Sequence, residues 1–376
     1  TGSISILAFL RREQRGTLAC TAAKAGPIAW KVSAMDNRNQ QIVTFLNAHG
    51  WDGAVRRTLA DDASFRRYER LDLDGQRAVL MDAPPDKEDV KPFVAIADIL
   101  RRLCFSAPQL YARDVERGFL LLEDLGDDTY TKVLFDNPEK EDALYARATE
   151  LLIALHSRFA KAPDVPPYDD TRLHTETNLM LDWYFPAVTG KAAPGAIRHN
   201  YASLWRGLFD RARAMPNTLI LRDYHVDNLM WLPERSDEAA CGLLDFQDAV
   251  IGPLTYDIVS LFEDARRDVS AKVSQAGLDR YLAAFPDLDR EAFRASYAIF
   301  GVQRSAKILG VFTRLDRRDC KPDYLCHIPR VWRWLEAGLS HPVLSDLRGW
   351  FDRYLPPEFR TTPKRMTRQC VKPTTS

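Results

Sequence analysis

The chain has 376 residues, 46% hydrophobic and 28% charged, with 52 Lys plus Arg against 52 Asp plus Glu. This composition excludes a collagenous or disordered chain, and the length suits two lobes better than one domain. The balanced charge gives no global reason to expect nucleic acid or an anionic membrane surface as partner, and no run approaches the roughly 18 apolar residues of a membrane-spanning helix.

The cysteines, Cys20, Cys104, Cys241, Cys320, Cys326 and Cys370, show none of the CxxC spacings of zinc or redox sites, so a reducing cytoplasm is the simplest setting. In residues 1–35 the arginines Arg11, Arg12 and Arg15 follow the short apolar run instead of preceding it, the reverse of a secretory signal. We read that stretch as a leader or poorly ordered extension. From Asp36, DNRNQQIVTFLNAHG places Ile42, Val43, Phe45 and Leu46 behind a polar start and closes on Gly50, which predicts an amphipathic helix. Next, VRRTLADDASFRRYERLDLDGQRAVLMDAPP alternates apolar and polar residues around turn signals at Asp61 to Ser64 and at Asp74-Gly75, which predicts a hairpin or meander. A helix from about Pro92 to Leu103 and two strands in QLYARDVERGFLLLEDLG complete a first lobe, residues 36–126. Residues 127–357 turn largely helical in period, as in KEDALYARATELLIALHSRFA, and are expected to form a second lobe. Residues 358–376 are basic and threonine-rich and are expected to lack order.

Within the second lobe the helical pattern breaks at NTLILRDYHVDNLMWL and CGLLDFQDAV, two apolar strands interrupted by acids. Moving a phosphoryl group to a hydroxyl requires a carboxylate near the acceptor oxygen and oxygen ligands for magnesium. Asp223 and Asn228 have the D-x-x-x-x-N spacing of kinase catalytic loops. Asp245, followed by Phe246 and Gln247, stands where protein kinases carry Asp-Phe-Gly, with room for a hairpin that returns it to Asn228. His225 has no second His or Cys at ligand spacing and is read as orienting this loop.

RDYHVDN followed by LLDFQDAVIGPLTYDIVSL resembles the aminoglycoside phosphotransferase and choline kinase superfamily, over roughly residues 36–357. The resemblance implies an α+β, two-lobed protein-kinase-like fold, with a small β-rich N-lobe and a larger, mainly helical C-lobe. It implies ATP with magnesium (Mg2+), Asp223 as catalytic base, Asn228 and Asp245 as metal ligands, and Asp257 as a brace for the catalytic loop. DDASFRRYERL is similar to the family's nucleotide-covering hairpin and assigns Ser64, Phe65 and Arg66 to the nucleotide, while GFLLLEDLG resembles the adenine hinge at Glu123, Asp124 and Leu125. AVLMDAP departs from the pattern, because Met81 stands where a phosphate-contacting lysine or arginine is usual. Arg66, Arg67 or Lys87 must then supply the charge; failing that, the chain is a nucleotide-binding pseudokinase.

HTETNLMLDWYF and FGVQRSAKILGVFTRLDRRDCKPDYLCHIPRV are similar to the anomeric amino-sugar kinases of bacterial peptidoglycan recycling. That likeness implies transfer to carbon 1 of N-acetylmuramate or N-acetylglucosamine. Gln303, Lys307 and Arg314 recur at helical spacing beside Arg304, a stripe suited to sugar hydroxyls or a carboxylate, or else a salt-bridged face. Trp183 and Tyr184 are suited to stack on a pyranose or to sit in the core, and Glu176 and Asp182 to accept hydroxyl hydrogens. The expected partner is therefore a small amino sugar, for a monomer or weak dimer, with no nucleic acid and no membrane. Aminoglycoside, choline and homoserine remain alternative acceptors.

Overall fold

The alternating segment after Ala54 becomes an antiparallel sheet in the computed structural model, which describes residues 29–59, 65–162 and 164–365. In chain order the elements begin with α1 (Ala29–Ala48), β1 (Val55–Thr58), β2 (Arg67–Leu73), β3 (Gln76–Asp82), α2 (Lys91–Arg102), β4 (Leu110–Asp114), β5 (Phe119–Glu123) and α3 (Tyr130–Asp136). Then come α4 (Glu141–Arg158), α5 (Asp170–Leu179), α6 (Phe185–Thr189), α7 (Gly195–Ala212), β6 (Asn217–Ile220), β7 (Leu229–Trp231), β8 (Cys241–Leu243) and β9 (Val250–Pro253). Helices α8 (Thr255–Phe262), α9 (Ala271–Ala284), α10 (Arg290–Arg317), α11 (Ile328–Leu339) and α12 (Ser345–Tyr354) close the chain.

Contacts divide the chain into two units, and neither is continuous. The first holds the described residues up to Lys140 together with Val226–Asp248; the second holds Glu141–His225 and the described residues from Ala249 onward. A linear reading puts a single boundary near Gly126. By contact the first unit runs further and takes back β7 and β8, because Leu243 N–H donates to Ser106 O at 2.9 Å and Trp231 N–H to Asp128 O at 2.7 Å. Such long-range pairing has no signature in local periodicity.

In the first unit the strands run in the order β1-β2-β3-β5-β4, each antiparallel to its neighbours. The β2–β3 turn is Asp74-Gly75, both residues at positive φ (50° and 83°), the geometry a tight hairpin twist demands. Because side chains alternate across a strand, Leu71, Ala78, Leu80, Phe119 and Leu121 share one face and pack against Ile42, Phe45 and Leu46 of α1. That helix begins at Ala29, a full two turns before the Asp36 start expected from the polar cap. Arg38 ties it to the sheet, with Nη2 donating to Asp82 Oδ1 at 2.6 Å and to Arg117 O at 2.7 Å.

The second unit is organised on α10, 28 residues long and buried on most of its circumference, with α5, α7, α8 and α11 against it. A helix apolar on nearly every side belongs inside a domain. After α5 the chain continues through a π-helical turn, Met180–Tyr184, into α6. Gly310 faces the start of that turn, and a Cβ there would overlap the Leu179 carbonyl. Gly310→Ala should therefore destabilise the protein by about 1–3 kcal/mol, read as a lower urea midpoint at unchanged slope.

Residues 358–365, expected to lack order, are instead tied down. Arg360 pairs with Glu336 at 2.9 Å and Asp352 at 2.6 Å, and Phe359 O and Thr361 O both accept from the Tyr184 hydroxyl at 2.7 Å. Composition misleads here because the tail is held partly by main-chain carbonyls, which every sequence supplies, and partly by Arg360 finding acids on other elements. Most of the expected leader, the Asp61 to Ser64 turn and the last residues of the expected tail lie outside the described residues. Among the described residues no helix is long and apolar enough to cross a membrane.

Candidate active site

In the first unit, β7 and β8 pair as Leu229↔Leu243, Met230↔Gly242 and Trp231↔Cys241. That register makes neighbours of the residues just outside the last pair, Asn228 before β7 and Leu244-Asp245 after β8. Leu244 N–H indeed donates to Asn228 O at 3.0 Å. The hairpin is close-packed at Gly242, where a Cβ would lie 2.9 Å from Met230 Cβ. Asp245 is buried, takes φ +56°, and accepts from Gln247 Nε2 at 2.7 Å. A non-glycine residue in the left-handed region is a conformation that surrounding structure must enforce, and such residues cluster at functional sites. The Asn228 amide oxygen and the Asp245 carboxylate are hard oxygen donors of the kind magnesium prefers.

Asp245 also borders an open recess of about 740 Å3, solvent at its mouth included, which lies wholly within the first unit. Its walls are largely apolar, from Leu59, Val79, Phe93, Leu122, Met230 and Leu244. Volume and lining suit a purine nucleoside. Glu123, Asp124 and Leu125, the expected hinge, line it as well. Asp124 Oδ1 accepts from Arg70 Nη2 at 3.0 Å, and Arg70 Nη1 donates to Asp127 Oδ1 at 2.8 Å, so β2 is clamped to the segment after β5. Ser64 of the expected covering hairpin lies outside the described residues, while Phe65 is 63% exposed.

In the second unit, β6 ends at Ile220 and runs into the loop that carries Asp223. Both oxygens of buried Asp257 accept from this loop's backbone, from Leu221 N–H at 2.6 Å and Arg222 N–H at 2.9 Å. Arg222 sits at φ +69°, and its buried guanidinium donates to Glu176. Between Leu221 and Met230 only Asp223 is less than fully buried, so the loop presents this one carboxylate. His225 is buried beside Arg266, with Nε2 at 3.2 Å from Nη1. A guanidinium only donates, so Nε2 is the accepting nitrogen. Burial first, then Arg266 and Arg304, push its pKa well below the usual histidine value, so the ring is neutral.

Glu176, expected to accept a hydroxyl from a substrate, is instead the hub of a buried cluster. It accepts from Arg222, from the Tyr168 hydroxyl and from Gln303 Nε2 at 2.9 Å, and pairs with Lys307 Nζ at 3.2 Å. Burial would raise its pKa, but Lys307 and Arg222 outweigh that and lower it to about 2. Gln303 and Lys307 thus belong to a salt-bridged interior face, beside Arg222 and hence near Asp223. Arg304, one residue round the helix, is also buried and donates to Glu263 O at 3.2 Å.

The aromatic expectation fails at Tyr184. It is fully buried, and its hydroxyl accepts from Trp332 Nε1 at 2.7 Å besides donating to the tail, so it is core and not a sugar platform. Asp182 is exposed and pairs with Arg198 at 2.7 Å, and Trp183 next to it is half-buried. The π-helical turn explains the miss, since an inserted residue shifts every following side chain round the axis. Arg222 escaped sequence reading because the buried partners that distinguish it from a surface arginine, Glu176 among them, lie far off in sequence.

Residues 55–294 match the APH model, the phosphotransferase enzyme family. The chain belongs to this family and is a phosphotransferase. It is 38% identical over 353 residues to the N-acetylmuramate/N-acetylglucosamine kinase of Caulobacter vibrioides, an alignment spanning 84% of this chain and 96% of that protein. It is 36% identical over 331 residues to the protein of the same description in Pseudomonas aeruginosa, spanning 83% of this chain and 95% of the other. Among solved structures, choline kinase LicA from Streptococcus pneumoniae superposes with TM-score 0.58 at 12% identity, covering 81% of this chain and all of that one, a likeness of fold. The α+β fold expected from the sequence is the fold of these kinases.

Proposed function

We propose that the chain transfers the γ-phosphoryl group of ATP to the anomeric hydroxyl of N-acetylmuramate, N-acetylglucosamine or both, giving the α-1-phosphate for cytoplasmic recycling of cell-wall sugars. The observation that carries the substrate class is the identity of 36–38% to amino-sugar kinases along more than four fifths of the chain. Two features, each within its own unit, support the chemistry: in the first an apolar recess bordered by Asp245, and in the second a loop stretch whose one incompletely buried residue is Asp223.

In this reading Asp223 accepts the proton of the attacking hydroxyl as the oxygen–phosphorus bond forms and ADP departs. Its backbone is fixed by Asp257, and Lys307 and Arg222 bring positive charge to its neighbourhood: burial opposes the Lys307 charge, but Glu176 and also Asp223 raise its pKa. Asn228 and Asp245 would hold magnesium, which when bound neutralises charge on the donor phosphates. Glu123, Asp124 and Leu125 border the base, and the apolar walls exclude water from it.

The test is ADP release from magnesium ATP with N-acetylmuramate, N-acetylglucosamine, kanamycin and choline offered separately. Turnover with the amino sugars, absent when carbon 1 is blocked as a methyl glycoside, is the expected result. Turnover with choline or kanamycin alone overturns the substrate class. In the same assay Asp245→Asn should lower kcat by about 10²-fold or more and raise the magnesium concentration needed for half-maximal rate, because one of two adjacent oxygen ligands loses its charge.

A further inference from the structure

Phosphoryl transfer needs a fixed cation on the donor's phosphates, and β3 supplies none at the expected position: its one cation, Arg77, stands exposed at the hairpin end beside Asp72, while Met81 is 0% exposed, opposite Tyr68 on β2 and Leu120 on β5. Val79 of β3 lines the recess, so Met81, two residues on, faces the same side. Tyr68 and Arg70 of β2 line it too, and Arg66, buried immediately ahead of that strand, lies within the electrostatic reach of Asp245, which borders the recess. The other face, carrying Leu71, Ala78 and Leu80, is packed on α1.

Arg70, which lines the recess, is committed to Asp124 and Asp127, and Arg38 to Asp82; Arg67, Lys87 and Arg66, also near this strand end, separate cleanly. Arg67 pairs in register with Asp82 and is exposed on the α1 side. Lys87 has a side chain 48% exposed and pairs only weakly, at 3.6 Å, with its neighbour Asp86. Arg66 is 7% exposed and donates through Nη2 to Glu88 Oε2 at 3.2 Å. Glu88 lies just ahead of α2, and its other oxygen accepts from Phe65 N–H at 3.4 Å. One carboxylate therefore steadies both the strand end and the guanidinium. Burial works against the Arg66 charge, but Tyr68, Glu88, Asp245 and Asp248 outweigh it, so the group stays cationic within the field of the proposed metal ligand.

We propose that Arg66 is the phosphate-binding cation of this kinase, positioned by Glu88, and that from just ahead of β2 it takes over the task that Met81 leaves undone on β3. The ligand class is the polyphosphate of a nucleoside triphosphate, so the inference rests on reading the recess as a nucleotide site. It does not depend on which alcohol accepts the phosphoryl group. A planar guanidinium offers two parallel donors to phosphate oxygens and keeps its charge at any working pH. Glu88 acts through Arg66 and is a positioning residue.

The experiment compares full-length wild type, Arg66→Ala, Arg66→Lys and Glu88→Gln by titration with magnesium ATP and, separately, with adenosine. Arg66→Ala should weaken ATP about ten- to a hundredfold, the loss of one charge-assisted contact, with adenosine affinity unchanged. Arg66→Lys should recover part of that affinity, and Glu88→Gln should weaken ATP by a smaller factor than Arg66→Ala. If Arg66→Ala does not fold, Arg66→Lys carries the test through the same contrast, ATP weakened several-fold and adenosine untouched. Equal losses for ATP and adenosine would make Arg66 structural, and unchanged ATP affinity would leave it no role; either overturns the proposal. Arg66-dependent ATP binding in a protein that phosphorylates no amino sugar would sink the substrate reading and leave Arg66 in place.

Discussion

Asp223→Asn is expected to bind ATP as the wild type does and to turn over about 10² to 10⁴-fold more slowly. The substitution preserves size and one hydrogen-bonding oxygen and removes the negative charge and with it the ability to take a proton. The loop should keep its shape, because Asp257 holds Leu221 and Arg222 by their N–H groups and Glu176 holds the Arg222 side chain. A kcat loss at unchanged ATP affinity, from single-turnover and binding measurements on the same preparation, assigns Asp223 to the chemical step. Wild-type turnover in the variant would remove it as the base.

Glu176→Gln should be among the most destabilising single substitutions in the second unit. Two buried cations, Arg222 and Lys307, share this carboxylate, and removing its charge takes from each its nearest anion within the cluster. Breaking a buried pair by deleting one partner costs about 3–5 kcal/mol, a fall of roughly 6–12 °C in the unfolding midpoint. Lys307→Met should cost less, since it leaves one cation matched to one carboxylate. The pH dependence follows from the sign of the shift. The Glu176 pKa is lowered from 4.5 to about 2, so its stabilisation is complete above pH 4.5 and is lost as pH falls through 2. The deficit of Glu176→Gln relative to wild type should therefore stay level from about pH 5 to 8 and narrow only below the ordinary glutamate range. A deficit that grows with acidification would contradict a carboxylate held ionised by its neighbours.

The parts of the molecule legible in the sequence are those set by short-range pattern. Strand alternation and Asp74-Gly75 predict the β2–β3 hairpin, and the apolar runs flanking Asn228 and Asp245 predict a hairpin that reunites them, which the Leu229↔Leu243 register provides. The parts that were not legible depend on partners distant in sequence. Gln303 and Lys307 stood out as polar positions on a buried helix, but whether they meet solvent or an internal charge is decided by Glu176, more than a hundred residues earlier. Tyr184 and Trp183 were interchangeable as a pair of aromatics until the π-helical turn fixed one in the core. The early start of α1 at Ala29 defeats capping rules because no strong stop signal intervenes between it and Asp36.

The first unit's use of two separate stretches has a consequence for biosynthesis. A nascent chain emerging from the ribosome can assemble β1 to β5 early, but the backbone of Ser106 and Asp128 lacks its hydrogen-bonding partners until β7 and β8 have also emerged. Until then the apolar wall that Met230 and Leu244 complete is open to other hydrophobic surfaces. Translation halted after Lys140 would thus release a fragment prone to aggregation and dependent on chaperones, whereas one halted after Asp248 would carry every strand of the first unit.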